Sequence, residues 1–502
     1  MKQENCHWID GVWCGSSGAL FTSTNPASQT ILWQGNEATE ETVDQAVKAA
    51  LSAFMSWSTL SLAMRTEYLL AFGKRVSAQK EEIAKTIAEE NGKPLWEALS
   101  EVNAIVGKVE VSLAAQAERC PEITRPAPQG NLIVRHRPHG PLAVLGPFNF
   151  PGHLPHGHII PALLAGNTVV FKPSELTPLV GELLMKCWEE AGLPHGVLNL
   201  VQGGASTGKY LTHHPYIAGI LFTGSWNTGH SLSEMWASRP DKILALEMGG
   251  NNPLVVGAIT DLAAAAYTII QSAFITSGQR CTCARRLIVQ RGEQGDALIS
   301  ALVEMTKGLH IAPYTASPEP FMGPVVSAQA AQKIQQAYQQ LLKLGGTPLL
   351  PLKELPLGKA FLSPGIVDMT AASKRVDEEI FGPVLQLFRT DSLEESIDEA
   401  NNTSYGLSSG LLSDSQEEFD LFHTRIRAGV INWNTPLTGA SGHAPFGGIG
   451  RSGNHRPSGY WAADYCSYPT ASLESLKLML PQQKLPGIGY LPPSTSAEEC
   501  CE

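Results

Sequence analysis

Apolar and polar positions follow two different periods along this chain, and the period switches several times. From residue 37 to 118 apolar residues recur at helical spacing, as in EATEETVDQAVKAALSAFMSW and AMRTEYLLAFGKRVSAQKEEIAKTIAEENGK. The first stretch opens on Thr and Glu, which favour a helix N-terminus. Within residues 119–140 the chain turns Pro-rich and extended, and NLIVRHRP alternates like a strand. Short apolar runs then take over: PLAVLGPFN, NTVVFKPS, VLNLVQG, YIAGILFTGS, KILALEMGG and NPLVVG. Helical stretches such as PHGHIIPALLAG and LTPLVGELLMKCWEEAG separate several of them. This βαβαβ alternation predicts a parallel sheet covered by helices on both faces. After Gly257 a second α/β region runs to about residue 445, with AAAAYTIIQSAFITSGQ as a helix and RRLIVQR as a strand. YCSYPTASLES is again extended, and no internal repeat is visible.

The fold class expected is α/β in three parts. A Rossmann-like domain takes 1–121 and 141–248, a catalytic α/β domain takes 249–455, and a small β-arm takes 122–140 and 456–478. The Pro- and Ser-rich tail, 479–502, is expected to be disordered. A length of 502 residues with 43% hydrophobic and 17% charged residues fits such a multi-domain globular protein. The net charge of −11 argues against a nucleic acid or an anionic membrane as partner. No unbroken apolar run reaches the ~18 residues a membrane helix needs. The start, MKQENCHWIDG, lacks the basic end and apolar run of a secretory leader. Nine cysteines without framework spacing read as reduced thiols in a cytoplasm.

FITSGQRCTC, residues 274–283, places Cys281 and Cys283 two apart beside Arg280. Such a pair offers metal ligands, a disulfide, core filler or a nucleophile. Two residues apart is poor disulfide geometry. A Cys-any-Cys metal pair also lacks a second pair at zinc-like spacing. GHLPHGH, with His153, His156 and His158, invites a metal reading too, but a helix start lining a cavity mouth is plainer, and no metal is expected.

Seven stretches occur in order: GPFNFPG (146–152), FKPSELTP (171–178), FTGSWNTG (222–229), LEMGG (246–250), GQRC (278–281), EEIFGPV (378–384) and APFGG (444–448). In this register the chain resembles the NAD(P)-dependent aldehyde dehydrogenase superfamily over residues 5–475. Glu247 lies 34 residues before Cys281, and Asn149 lies 23 before Lys172, as in that family. The resemblance implies that Cys281 is the nucleophile, Glu247 the general base and Asn149 an oxyanion donor. A thiolate must attack the carbonyl carbon and later leave from a thioester. A positioned donor on the developing alkoxide typically counts for ~3 to 4 kcal/mol. Arg280 is expected to favour the Cys281 thiolate, and Cys283 to be a small packed side chain.

The cofactor implied is NAD. Lys172 and Glu175 resemble the adenosine-ribose clamp, whose carboxylate disfavours a 2′-phosphate. Gly224, Ser225, Trp226, Asn227, Thr228 and Gly229 resemble the phosphate turn that opens a helix. Glu379 and Phe381 resemble the nicotinamide-ribose carboxylate and its packing aromatic.

Arg280, Thr282, Gly439, Ala440 and Phe446 are expected around the substrate. TGASGHAPFGG (438–448) resembles an anchor loop that holds an α-carboxylate by backbone N–H groups. GQRCTCARR and SGNHRPSGYWAADYCSYP resemble the subgroup whose substrate is N-succinylglutamate 5-semialdehyde, a dianion of arginine breakdown. Arg280, His443, Arg451 or Arg456 is expected to meet its second carboxylate. A homodimer or homotetramer is implied as well. Three rivals remain at this point: oxidation of glutamate 5-semialdehyde or another carboxylated aldehyde, a CoA-acylating reaction, and a non-catalytic binding protein on the same fold.

Overall fold

The apolar runs between residues 141 and 257 divide between two sheets. The computed structural model describes residues 5–128, 130–480, 483 and 485–488. Most of the tail expected to be disordered, 479–502, therefore lies outside the described residues. Among the described residues, two seven-stranded sheets and a three-stranded one carry the architecture.

The first sheet has the order Ile243–Met248, Gly219–Gly224, Pro141–Leu145, Thr168–Lys172, Leu198–Leu200, His7–Ile9, Val12–Cys14. Its first five strands are parallel, and an antiparallel hairpin closes the far edge. Pro141–Leu145 and Thr168–Lys172 are buried throughout, so they read as continuous apolar runs and not as alternation. Chain order reverses between Pro141–Leu145 and Gly219–Gly224, where open α/β sheets leave a crevice at the carboxyl ends.

The second sheet has the order Thr347–Leu350, Gly365–Asp368, Val384–Thr390, Arg286–Gln290, Pro253–Val256, Ser408–Leu412, Val430–Trp433. All its pairings are parallel except the first. Pro253–Val256 follows directly on Ile243–Met248, so the chain crosses from one sheet to the other through LEMGG.

Helices Glu40–Ser58, Leu62–Ala78, Lys80–Asn91 and Leu95–Arg119 account for residues 37–118. Thr39 caps the first by accepting from the Thr42 N–H. Leu95–Arg119 packs on helix His153–Ala165 and buries Glu97, Glu101 and Lys108 on the same side as Val102 and Ile105. Charges at three- and four-residue spacing inside an apolar stripe need partners or a cavity.

Ile123–Ala127, Gly130–Pro138 and Ser467–Glu474 form the three-stranded antiparallel sheet. Residues 456–466, assigned to the arm from sequence, lie elsewhere. Ser458–Gly459 pairs with Pro445–Phe446, and Ala462–Tyr465 packs against Leu95–Arg119 and His153–Ala165. No helix among the described residues is long and apolar enough to cross a membrane.

Candidate active site

The cysteine loop is strained and then held. Thr276 and Ser277 both adopt left-handed backbone, with φ of 56° and 54°, a costly conformation for a β-branched residue. Thr276 Oγ1 bonds the Glu97 carboxylate, and Arg280 Nε donates to Thr276 Oγ1 at 2.7 Å. Gly278 follows at φ 73°, where a Cβ would meet the Gly382 carbonyl oxygen at 2.1 Å, so only glycine fits. Gln279 Nε2 donates to the Thr276 carbonyl at 3.1 Å, and its Oε1 accepts from the Val326 N–H at 2.9 Å. The Gly-Gln of the cysteine motif is thus explained by the loop alone.

Two buried side chains brace the far side. Asn252 Nδ2 donates to the carbonyls of Cys281 at 2.6 Å and Cys283 at 2.9 Å. Arg285 donates to the carbonyls of Gly278 at 2.6 Å and Arg280 at 2.9 Å, and to Glu379 at 3.3 Å. Cys281 emerges half-buried, facing a cavity of about 260 Å³. Cys283 is fully buried, its thiol toward the Ile275 carbonyl at 3.7 Å.

Glu247 meets Cys281 across the sheets, with Sγ 3.8 Å from Oε1. Burial pushes the Glu247 carboxyl up to about 7, against the opposing effects of Thr223, Cys281 and Lys108. Burial, and then the charges of Glu247 and Glu379, raise the Cys281 thiol well above its ordinary range. Both effects favour the protonated sulfur, which points its thiol at Glu247 Oε1. The expectation that Arg280 favours the thiolate is corrected. Its guanidinium pairs with Glu97 at 2.9 Å, and the cation that opposes the rise at Cys281 is Arg285.

A hydrogen-bonded chain backs Glu247. Thr223 Oγ1 donates to Glu247 Oε2 at 3.4 Å, His158 Nε2 lies 3.1 Å from Thr223 Oγ1, and Tyr465 Oη lies 2.8 Å from His158 Nδ1. Thr223 has one proton to give, so His158 Nε2 must donate to it and Nδ1 must accept from Tyr465. Burial first, and the charge of Lys108 second, push His158 down to about 3, which keeps this neutral tautomer.

Asn149 follows strand Pro141–Leu145 and is almost wholly buried. Its carbonyl accepts from Lys93 Nζ at 2.7 Å and Asn91 Nδ2 at 3.3 Å. Lys93 also pairs with Glu101 at 2.8 Å, and Glu101 accepts the N–H groups of Gly152 and His153 at the start of helix His153–Ala165. Asn149 Nδ2 donates one proton to the Gln279 carbonyl at 3.0 Å, and Asn149, like Gly439, is outside the lining of the cavity that Cys281 faces.

Arg280, Thr282, Ala440 and Phe446 line the cavity with Cys281 and Glu247. Gly439 is outside this lining, and its N–H is taken by the Pro436 carbonyl at 3.0 Å. His443, Arg451 and Arg456 are also outside it; Arg451 instead lies over the Trp226 ring, 5.4 Å from its centre. His156 is a core residue, bonded through Nδ1 to the Gly152 carbonyl and through Nε2 to Trp188. Sequence reasoning missed Glu97, Glu101, Lys108, Thr223 and Tyr465. The one available signal was the run of charges inside the apolar stripe of Leu95–Arg119.

The cofactor candidates gather at the switch point. Lys172 is buried at the end of its strand, with Nζ on the Pro173 and Gly203 carbonyls at 2.9 and 2.6 Å and 3.8 Å from the half-exposed Glu175. Ser225 follows Gly224 and caps helix Trp226–Trp236, its hydroxyl accepting from the Thr228 N–H. At Gly229 a Cβ would reach Met248 Sδ at 2.3 Å, so glycine lets this helix lie close to strand Ile243–Met248. Asn227 lies in the same first turn, whose free N–H groups suit a phosphate. Glu379 pairs with Arg285, which also lies over Phe381 at 5.3 Å. Lys172 and the helix start at Ser225 thus both stand at the carboxyl ends of parallel strands in one sheet, where open α/β sheets take their ligands.

One cavity thus brings a half-buried cysteine to a buried carboxylate at the carboxyl end of a parallel strand. The aldehyde dehydrogenase family profile matches residues 13–471, and the chain belongs to that family. It is 54% identical to the N-succinylglutamate 5-semialdehyde dehydrogenase of Ectopseudomonas mendocina (strain ymp) over 482 residues, 96% of this chain and 99% of that one. A variant of 1-pyrroline-5-carboxylate dehydrogenase from Thermus thermophilus superposes with TM-score 0.89 at 29% identity, covering 94% of this chain and 93% of that one. A structure described as a methylmalonate-semialdehyde dehydrogenase from Sinorhizobium meliloti 1021, complexed with NAD, gives 0.89 at 25%, covering 96% and 99%.

Proposed function

We propose that this enzyme oxidises N-succinylglutamate 5-semialdehyde to N-succinylglutamate with NAD, the last oxidation of arginine breakdown through succinylated intermediates. The observation that carries the chemistry is Cys281 Sγ at 3.8 Å from Glu247 in a cavity lined also by Arg280 and Lys108. The 54% identical relative supports the choice of substrate.

Cys281 passes its proton to Glu247 as sulfur adds to the aldehyde carbon. Asn149 Nδ2 and the Cys281 N–H hold the oxygen as it gains charge. NAD, when bound, supplies the hydride acceptor. Lys172, Glu175, the turn Gly224–Gly229, Glu379 and Phe381 are the residues that would hold it, with Glu175 disfavouring a 2′-phosphate. The acyl group remains on Cys281 as a thioester. Glu247 gives the Cys281 proton up to solvent and then takes a proton from water; the hydroxide adds to the thioester carbon, the C–S bond breaks, and the acid leaves with Cys281 as the departing thiolate. Thr282 and Ala440 hold the α-carboxylate of the substrate.

We assign the enzyme to the cytoplasm, in keeping with seven free cysteines among the described residues. The three-stranded sheet is its contact in a homodimer or homotetramer. A panel of aldehydes with NAD⁺ and NADP⁺ tests the reading. The succinylated semialdehyde should give the highest kcat/KM, with NAD⁺ and without CoA. Equal turnover of free glutamate semialdehyde, or a requirement for CoA, would overturn it.

A further inference from the structure

The charges around the cavity pair off, with one remainder. Arg280 is tied to Glu97, and Glu101 to Lys93. Lys108 lines the same cavity from helix Leu95–Arg119 and is only 6% exposed. Among the described residues its ammonium has no hydrogen-bond or ion-pair partner. It lies over the first turns of helix His153–Ala165, 3.9 Å from where a Gly157 Cβ would stand. His153 and His158 share this wall, and burial keeps both neutral, with Lys108 adding to the effect. Glu247 is the one carboxylate whose charge acts on it, and that carboxyl titrates near 7. Burial lowers the Lys108 ammonium from its ordinary range, against the charge of Glu247, so holding it as a cation in this cavity is costly unless a ligand carboxylate completes its compensation.

Resting on the function proposed above, we infer that Lys108, and not Arg280, reads the terminal carboxylate of the substrate's N-succinyl arm. Thr282, beside Cys281, and Ala440, from the 438–448 loop, line the cavity and take the α-carboxylate. Lys108 and Gly157 line the same cavity and are left for the N-acyl arm. An ammonium without a protein partner can give its N–H bonds to that carboxylate, whereas Arg280 is neutralised by Glu97 and held through Nε and Nη2, which leaves Nη1 as its uncommitted nitrogen.

The test compares Lys108→Met with the unaltered enzyme on two substrates, N-succinyl- and N-acetylglutamate 5-semialdehyde, which differ in the terminal carboxylate. Methionine keeps the apolar stem and removes only an unpaired charge, so the variant should fold and melt no lower than the parent. Its kcat/KM should fall ~10- to 100-fold for the succinyl substrate and less than about 3-fold for the acetyl one. N-succinylglutamate should raise the melting temperature of the parent but not of the variant, whereas N-acetylglutamate should act alike on both. Equal losses on both substrates, with a shifted pH profile, would assign Lys108 to tuning Glu247 and overturn the proposal. An unchanged succinyl/acetyl ratio would overturn it too. A parent enzyme that prefers the acetyl substrate would sink the functional reading instead. The melting shifts with N-succinylglutamate would then still decide the role of Lys108.

Discussion

In the first large sheet, Asn149, Lys172, Ser225 and Glu247 stand at or just beyond the carboxyl ends of four neighbouring parallel strands. In the second, Asn252, Cys281 and Glu379 precede their strands, at the amino ends of Pro253–Val256, Arg286–Gln290 and Val384–Thr390. The site forms where one sheet's exits meet the other's entrances. The two sets of residues are also held differently. Strand ladders and helix starts place the first set. In the second, Cys281 rides on a left-handed loop braced by side chains: Asn252, Arg285, Gln279 and the Glu97–Thr276–Arg280 triangle.

The largest expected effect tests the loop. Cys281→Ala should lower NADH formation by at least ~10³-fold, because no other sulfur among the described residues lines the cavity. Cys283→Ala should keep most activity and lose about 1 kcal/mol of stability from a small buried void. Steady-state rates and melting curves on both variants check this. Equal losses of activity would mean that the loop works as one unit and that the choice of sulfur is wrong.

The next effect tests the strand end opposite. Glu247→Gln should slow the NADH burst in stopped flow without abolishing it, because the Cys281 thiol loses its nearest proton acceptor, and should slow thioester hydrolysis further, by ~10²- to 10⁴-fold. In the parent, hydrolysis needs Glu247 ionised, so its rate should rise with pH through about 7 and level off above. The stability change has the opposite sign. A carboxyl raised from 4.5 to about 7 binds its proton more tightly when folded. Its contribution is complete below pH 4.5 and lost as pH rises through 7. Glu247→Gln should therefore gain melting temperature relative to the parent at pH 8 and not at pH 4.5. A missing burst with no bound acyl group would place the indispensable role of Glu247 before hydride transfer.

The same contrast explains what could be read from sequence. Burial on both faces left the central strands of both sheets as apolar runs, whereas Asn149 and Glu247 were legible only through the resemblance carried by the motifs around them. No periodicity announces a nucleophile ahead of a strand, so Cys281 was legible through the seven motifs in register. The braces were not legible, because each joins residues remote in the chain. Arg280 and Glu97 are 183 residues apart, and His158 and Tyr465 are 307 apart. Arg280 looked like a free cation because its partner lies on a helix of another region. Gly439 looked available because the turn that uses its N–H depends on how the loop folds back on Pro436.

The smallest expected effect lies behind Glu247 and separates positioning from packing. Tyr465, His158 and Thr223 donate in one direction toward the Glu247 carboxylate, so each link favours its ionised form. Thr223→Val removes the last donor at almost unchanged volume. The hydrolysis midpoint should move up from near 7 by at most about one pH unit, with rates converging above it. Tyr465→Phe removes the first donor while Thr223 still bonds Glu247, so its shift should be a few tenths of a unit in the same direction. Lys108, Cys281 and Glu379 face the same pair and are unchanged in both variants, so their charges cannot account for a difference between them. Single-turnover hydrolysis of the acyl-enzyme from pH 5.5 to 9 reads the midpoint directly. A lower plateau with an unmoved midpoint would mean that the chain only packs behind the base. Midpoints that rise in the order parent, Tyr465→Phe, Thr223→Val would mean that it holds the charge as well.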